Sequence, residues 1–378
     1  MACLKLQSGT INSKVATINQ GDYIILHQNT HMHTKKRNLI LLVTLQCAIL
    51  TGYSQQPDPP GQVKQGQPVN EAYLFAHMMH QDYGKLYYSV SLDGLHWKML
   101  NGGKRVFDEY RGHPDICKGH DGRYYIAGNK SDAAPDINIW VSEDLVAWKH
   151  FSDYTPDLRK TPGYENPLQR IGAPKLFYDK SSSQYVMTWH TPHLEGTEKD
   201  PERYWASQRT LYVTSSDLKN FSEIPHRLFP WDMGTIDVII RKIDNTYYAI
   251  LKDEAYPGFE WITGKTIRIA SADSLLGPYS YPSDPISPNF REAPMLIPSP
   301  DNNNWYLYYE QYPGVSYGLS VGRQPEGPWY QVSGYTFFST WDKYSLPPSV
   351  RHGCMLTISK DEYNKLVDHF GFAAEIPK

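Results

Sequence analysis

The sequence is poor in cysteine. It has 4 cysteines in 378 residues, and only Cys117 and Cys354 lie beyond residue 54. Two cysteines so far apart cannot form the disulfide framework of a small secreted domain, and no Cys/His spacing typical of a structural zinc site is present. A packed core must therefore stabilise the fold.

The chain also carries little net charge. Its formal net charge is -3 at pH 7, and its one basic run is a short stretch near the start. A protein that binds nucleic acid needs a basic surface to neutralise phosphates. We therefore expect no nucleic-acid partner.

No apolar run reaches the roughly 20 residues that a transmembrane helix needs. The longest begins after Met32, in MHTKKRNLILLVTLQCAILTGYSQQ, where a basic segment precedes about a dozen apolar residues and then small and polar ones. This order is typical of a secretory signal peptide, and a membrane anchor is the alternative. We predict a non-native upstream extension over 1–31, a signal peptide over 32–54 and a linker over 55–71. The protein is then secreted or periplasmic, without a stable membrane span.

Tyrosine, tryptophan, proline and glycine are abundant. The chain has 29 Tyr, 10 Trp, 28 Pro and 27 Gly, and aromatic residues make up 13% of it. Aromatic residues favour strands, and proline and glycine favour tight turns. The composition therefore indicates an all-β fold with many short strands.

One pattern recurs along the chain: a strand that ends near Ser or Asp, followed by a turn and an aromatic residue. Its five copies are KLYYSVSLDGLHWKML, INIWVSEDLVAWKHF, TLYVTSSDLKNFSEI, TIRIASADSLLGPYS and YGLSVGRQPEGPWYQV. A hairpin-like pair of strands precedes four of them, and the period of roughly 50 residues is close to that of a propeller blade. We predict one five-bladed β-propeller with four-stranded blades over residues 72–375. The aspartates of this pattern, Asp93, Asp144 and Asp217, are interpreted as structural turn residues.

The first blade lacks its innermost strand, and a spare strand, RHGCMLTIS, lies near the C-terminus. If this strand completes the first blade, pairing of the N- and C-terminal segments closes the ring and removes an exposed sheet edge. A short helix is expected in the following KDEYNKLVDHFGF segment.

Polar residues stand at the starts of the innermost strands. In a propeller these strands surround one central opening, so the residues should converge there. They are His113 and Asp115 in GHPDI, Lys175 in GAPKLF, Asp237 in GTIDVII, Glu292 in REAPML and His352 in RHGC. Asp115, Asp237 and Glu292 occupy equivalent positions of three repeats. Carboxyl groups on facing walls are what glycosidic hydrolysis requires, one as the acid and one to activate water or attack carbon.

These segments resemble glycoside hydrolase family 43 over nearly the whole of the chain after the predicted signal peptide. IDVIIRKIDNTYYAIL is similar to the segment whose Asp tunes the catalytic acid, and REAPMLI with WYLYYEQY is similar to the segment that carries the acid. The resemblance implies that Asp237 is the modulator and Glu292 the general acid, and it implies an inverting mechanism.

Two positions depart from the family pattern. The family's base is the Asp of a D-P-S/D-I motif, where this chain has His113, with Asp115 two residues later. Because residues two apart share a face of an extended strand, Asp115 is the preferred base, and His113, as a neutral imidazole, is the alternative. Lys175 stands where the family often has an acid, and it could pair with Glu292 or Asp115 or bind an acidic sugar.

Further candidates surround these residues. Trp189 and His190 end a strand that could reach the rim, where an aromatic ring can stack on a sugar, and Arg291 adjoins the acid. By resemblance, His352 lies on the ring axis, where it contacts substrate or holds a calcium-like structural ion. The hydrolytic chemistry itself requires no cofactor.

The resulting hypothesis is an exported, exo-acting, arabinofuranosidase-like hydrolase acting on oligosaccharides or polysaccharides of plants or algae. One alternative is a catalytically silent carbohydrate-binding propeller that lost its base at position 113. Another is a lyase acting on uronic acid units, with His113 or His190 as the base and Lys175 neutralising the carboxylate.

Overall fold

The structure is a computed structural model, and it describes residues 70–130, 135–164, 170–193, 200–258, 262–332 and 343–373. The chain divides into two compact units, Met1–Asp58 and Pro59–Lys378, and all of the described residues belong to the second. The predicted upstream extension and signal peptide, and all but the last two residues of the predicted linker, lie outside the described residues.

Nineteen strands and two α-helices make up the described part of the chain. The strands are β1 Ala72–Met79, β2 Asp82–Ser91, β3 Lys98–Met99, β4 Ile116–Lys118, β5 Tyr124–Asn129, β6 Ile137–Ser142, β7 Trp148–Tyr154, β8 Gly172–Asp179, β9 Gln184–Pro192, β10 Gln208–Ser215, β11 His226–Arg227, β12 Thr235–Ile243, β13 Thr246–Asp253, β14 Ile267–Ala272, β15 Arg291–Pro298, β16 Trp305–Gln311, β17 Tyr317–Gly322, β18 Trp329–Val332 and β19 Val350–Ile358. The helices are α1 Pro201–Ala206 and α2 Lys360–Phe370, and α2 confirms the helix predicted after the last strand.

The strands form five antiparallel sheets, the blades of a five-bladed β-propeller, as the repeats predicted. Their strand orders are β19-β1-β2-β3 in blade 1, β4-β5-β6-β7 in blade 2, β8-β9-β10-β11 in blade 3, β12-β13-β14 in blade 4 and β15-β16-β17-β18 in blade 5. Blade 1 thus contains the spare strand, with Ala72 opposite Ile358. Closure of the whole ring by the two termini stays a prediction.

Blade 4 has three strands among the described residues, where four were predicted. Residues 280–286 run beside β14, because the N–H groups of Ser280, Ser283 and Ile286 donate to backbone carbonyls of that strand. Pro282 and Pro285 interrupt this segment. Since proline has no N–H to donate, a regular ladder cannot form there.

The core lies between neighbouring blades. Apolar side chains pack between blades 1 and 2, 2 and 3, 3 and 4, 4 and 5, and 5 and 1; in the last of these interfaces Tyr73 and Phe75 meet Tyr308 and Leu319. The strands alternate tyrosines with small and branched residues, which is suited to such sheet-on-sheet packing. These interfaces position the starts of the first strands around the ring centre.

The recurring Ser-x-Asp sequence forms the outer turns, as the repeat pattern predicted. The Asp217 carboxylate accepts the N–H groups of Lys219 and Asn220 at 2.9 and 2.8 Å, and Asp93 and Asp144 accept equivalent bonds. An aspartate that accepts backbone N–H groups two and three residues later stabilises a turn.

We expect Asp217→Ala to lower the free energy of unfolding by about 1 kcal/mol, because two turn N–H groups lose their acceptor. Urea denaturation measures this difference. Asp284→Ala, on the exposed segment of blade 4, is the control, and an equal loss in both variants would contradict a specific role of the turn.

No helix among the described residues is both long and apolar enough to cross a bilayer.

Candidate active site

The site lies where the innermost strands of the blades begin, and β-bulges in these strands shape it. Register shifts fall between Gly172 and Lys175 in β8, Ile236 and Ile239 in β12, Glu292 and Met295 in β15, and Arg351 and Gly353 in β19. A bulge bends its strand and re-aims the side chains beside it. Four bulges therefore turn the beginnings of four blades toward a common region.

Asp237 lies inside its bulge in the left-handed region, with φ of 53°, as do Ala173 and Ala293 in theirs. A non-glycine residue in this conformation costs of order 1–3 kcal/mol and persists where the surroundings impose it, often at functional sites. Glu292 precedes Ala293 and so stands one position before the residue equivalent to Asp237. The two acids are therefore not at equivalent positions, which corrects the sequence-based interpretation.

Asp237, Glu292 and His352 form the centre of the site. The His352 Nε2 atom lies 3.5 Å from Asp237 Oδ2 and 3.4 Å from Glu292 Oε1. The N–H of Ala293 donates to Asp237 Oδ2 at 3.1 Å. All three side chains are buried. Carboxylates from blades 4 and 5 thus converge on one ring nitrogen from blade 1.

A second pair of residues, Glu310 and Arg351, lies on the Nδ1 side of His352. Glu310 is fully buried; its Oε2 lies 2.8 Å from His352 Nδ1, and its other oxygen pairs with the Arg351 guanidinium. Arg351 also donates to Glu292 Oε1 at 3.5 Å. Sequence reasoning missed Glu310, because it ends a tyrosine-rich second strand rather than beginning a first one.

A buried lysine holds the other side of Glu292. Lys252 Nζ donates to Glu292 Oε2 at 2.9 Å and lies 3.0 Å from Glu254 Oε1. The other Glu254 oxygen pairs with Lys265, which is also buried. Sequence reasoning missed this network too. Its sequence signal is the charged run KDE at the end of a strand that is otherwise apolar.

His113 faces this cluster from blade 2. Its Nδ1 lies 3.9 Å from Asp237 Oδ1, too far for a hydrogen bond, and its ring centroid is 4.5 Å from that of His352. The Tyr83 hydroxyl is hydrogen-bonded to His113 Nε2 at 2.9 Å. Lys175 is buried beside them and donates to the His113 carbonyl at 3.4 Å.

Asp115 does not face this cluster. It is 1% exposed, and its Oδ1 lies 3.8 Å from Arg241 Nη2 on β12. The chain bends at Gly112 and His113, and the extended strand begins only at Ile116. The argument that His113 and Asp115 share a strand face therefore does not apply, and the structure brings His113, not Asp115, to Asp237.

Of the remaining candidates, His190 lies at the edge of the cluster, and Trp189 and Arg291 lie away from it. His190 is buried and borders a small cavity beside Asp237. Trp189 is 1% exposed in the core between blades 2 and 3, where a sugar cannot stack on it. Arg291 donates to the carbonyls of Asn289 and Phe290, so it supports its own loop. Because neighbouring strand residues point to opposite faces, it points away from Glu292.

The electrostatics follow from these contacts. Burial by itself would raise the pKa of both acids, but His113 and His352 hold the pKa of Asp237 well below its usual range, and His352 and Lys252 lower that of Glu292. Burial would lower the pKa of His352, but Glu310 and Glu292 raise it well above its ordinary value. Burial, with the charge of His352, lowers the pKa of His113 to about 4.

Within the described part of the chain, two groups of residues have the proximity that a metal site needs: His113, Asp237 and His352, and Glu292, Glu310 and His352. Calcium takes six to eight oxygen ligands. The first group offers two nitrogens and one carboxylate, and in the second His352 Nδ1 is already in contact with Glu310. These residues do not fit the calcium-like ion that the sequence resemblance implied.

A domain-family model described as "Probable glycosyl hydrolase domain" and related to glycosyl hydrolase family 43 matches residues 69–364, most of the chain. The chain belongs to this family. A comparison with curated proteins finds no match.

Among solved structures, the chain is similar to enzymes of at least three kinds. For an exo-β-1,3-galactanase from Phanerochaete chrysosporium the identity is 15% and the TM-score 0.44, with 58% of this chain and 49% of that chain covered. For an α-L-arabinofuranosidase from Lactobacillus brevis the identity is 16% and the TM-score 0.46, with 58% of this chain and 72% of that chain covered. For a xylan β-1,4-xylosidase from Bacillus halodurans the identity is 17% and the TM-score 0.45, with 61% of this chain and 43% of that chain covered. The match thus spans about half the length of the galactanase.

Proposed function

We propose that this member of the glycosyl hydrolase family 43-related group is an exported, exo-acting, inverting glycosidase that releases a terminal sugar from oligosaccharides. The observation that carries the proposal is the convergence of Asp237 and Glu292, from two blades, on His352 Nε2. Paired carboxyl groups suit glycosidic hydrolysis.

In the proposed reaction, Glu292 gives its proton to the glycosidic oxygen while the bond from that oxygen to the anomeric carbon breaks. A water molecule loses a proton to His113 and adds to the same carbon, so that the products are a free sugar and a shortened oligosaccharide. The charge of Asp237 opposes the lowering of the Glu292 pKa by His352 and Lys252, as a modulator should.

Glu292 must take up a proton for each turnover, although Lys252 and His352 favour its ionised form. Lys252 also contacts Glu254 at 3.0 Å. The buried lysine therefore keeps a carboxylate partner when Glu292 becomes neutral, so protonation of Glu292 does not leave an unpaired buried charge.

His113 is favoured over Asp115 as the base by its position. When the proton of the imidazole is on Nε2, it donates to the Tyr83 oxygen and leaves Nδ1 free to accept a proton from water. Asp115 instead lies against Arg241, whereas His113 lies 3.9 Å from Asp237.

Release of free sugar from a panel of galactosyl, xylosyl and arabinofuranosyl oligosaccharides tests the function. We expect hydrolysis of at least one substrate, and a larger fall in kcat/KM in His113→Ala than in Asp115→Asn, on the order of a hundredfold for the former. The opposite ranking would return the base role to Asp115. Stabilisation by an oligosaccharide without any sugar release would instead indicate a binding protein.

A further inference from the structure

Two exposed tyrosines flank Glu292. Tyr83, at the start of β2 in blade 1, is 51% exposed, and Tyr312, just after β16 in blade 5, is 42% exposed. Large aromatic rings are normally buried for their apolar area, and an exposed ring beside a polar site is suited to stacking on a sugar.

Each ring lies beside a cation, and the two cations contact different oxygens of Glu292. Oε1 faces His352 and Arg351, and the Tyr83 ring centroid lies 6.3 Å from that of His352 and 5.8 Å from Arg351 Cζ. Oε2 faces Lys252, whose Nζ lies 5.0 Å from the Tyr312 ring centroid. The acid therefore stands between the two rings.

The position of His113 indicates which ring lies on which side of the cleaved glycosidic bond. Water attacks the anomeric carbon, which belongs to the sugar that is released, and His113 is bonded to Tyr83. The released sugar therefore lies on the Tyr83 side of the cleaved bond. The sugar that keeps the glycosidic oxygen then lies on the Tyr312 side.

We propose that Tyr83 and Tyr312 are the stacking platforms of two sugar subsites, Tyr83 for the released unit and Tyr312 for the leaving unit. This assignment rests on the proposed function. The substrate it implies is an oligosaccharide with a sugar unit on each side of the cleaved bond. Both residues are exposed, at 51% and 42%, so their rings can contact the C–H groups of a sugar.

Steady-state kinetics with two substrates separates the two platforms. One substrate is an oligosaccharide, and the other is the glycosyl fluoride of the same terminal sugar, which has no leaving sugar. We expect Tyr312→Ala to raise KM for the oligosaccharide about tenfold more than KM for the fluoride, since stacking is worth on the order of 1.4 kcal/mol. Tyr83→Ala should raise KM for both substrates. Tyr83→Phe keeps the ring and loses the bond to His113, so it should lower kcat with little change in KM.

Tyr330→Ala is the matched control, because Tyr330 is 68% exposed on the outermost strand of blade 5; no KM change is expected. Equal KM changes for both substrates in Tyr312→Ala, or none in either alanine variant, would overturn the subsite assignment. If the wild type turns over no substrate, the proposed hydrolysis fails by itself. Calorimetric binding of the oligosaccharide then tests the platforms, and equal affinity in wild type and both alanine variants overturns them.

Discussion

Glu292→Gln should lower kcat/KM on oligosaccharides by about a thousandfold, within the range that loss of a general acid produces. Glutamine fills the same space but cannot give a proton to the glycosidic oxygen. Its amide oxygen can accept from only one of the two cations, but Lys252 keeps Glu254 and Arg351 keeps Glu310 as a carboxylate partner, so the fold should persist. The melting temperature and circular dichroism would check this.

A leaving group that needs no proton separates acid catalysis from a structural role. On a 2,4-dinitrophenyl glycoside, whose phenolate leaves unaided, Glu292→Gln should lose less than about tenfold. Glu310→Gln is the comparison, because Glu310 lies behind His352 and does not face substrate; its losses on the two substrates should be similar. Equal losses on both substrates in Glu292→Gln would show that Glu292 is not the acid.

Lys252→Met should lower the free energy of unfolding by about 3–5 kcal/mol, because it leaves Glu254 and Glu292 buried with one cation fewer. Lys252 is 3% exposed, and it contacts both carboxylates within 3.0 Å. Activity should fall as well, since Glu292 Oε2 loses the group that positions it. Chemical denaturation and kcat/KM measure the two effects.

The double variant Lys252→Met/Glu254→Gln separates stability from positioning. It removes the lysine together with one of its two carboxylates, so only part of the lost stability should return, because Lys265 also loses its Glu254 partner. Activity should stay low, because Glu292 Oε2 still lacks Lys252. Recovery of activity along with stability would mean that Lys252 acts only through the fold.

The blades could be predicted because their signals are local. Five copies of one strand-turn-aromatic pattern predicted five sheets, and the aspartates interpreted as turn residues, Asp93, Asp144 and Asp217, accept hydrogen bonds within outer turns. The irregular fourth blade was missed, although Pro282 and Pro285 were a readable signal against a regular outer strand.

The sequence predicted that Asp237, Glu292, His113 and His352 converge, and the structure brings them together. The choice of Asp115 over His113 assumed a regular strand, and the bend before Ile116 removes that regularity. Trp189 was placed at the rim because tryptophan at a strand end can serve either a core or a sugar, and only packing against the next blade distinguishes these.

The sequence by itself determined the blades and the acidic character of their inner strand starts, because strand periodicity and turn chemistry act over a few residues. Only the tertiary structure decided which of those residues meet. Bulges in four blades re-aim Asp237, Glu292 and His352, and Lys252 and Glu310 reach the site from second strands. Such contacts join residues far apart in the chain, and their distances depend on how whole sheets pack rather than on any local pattern.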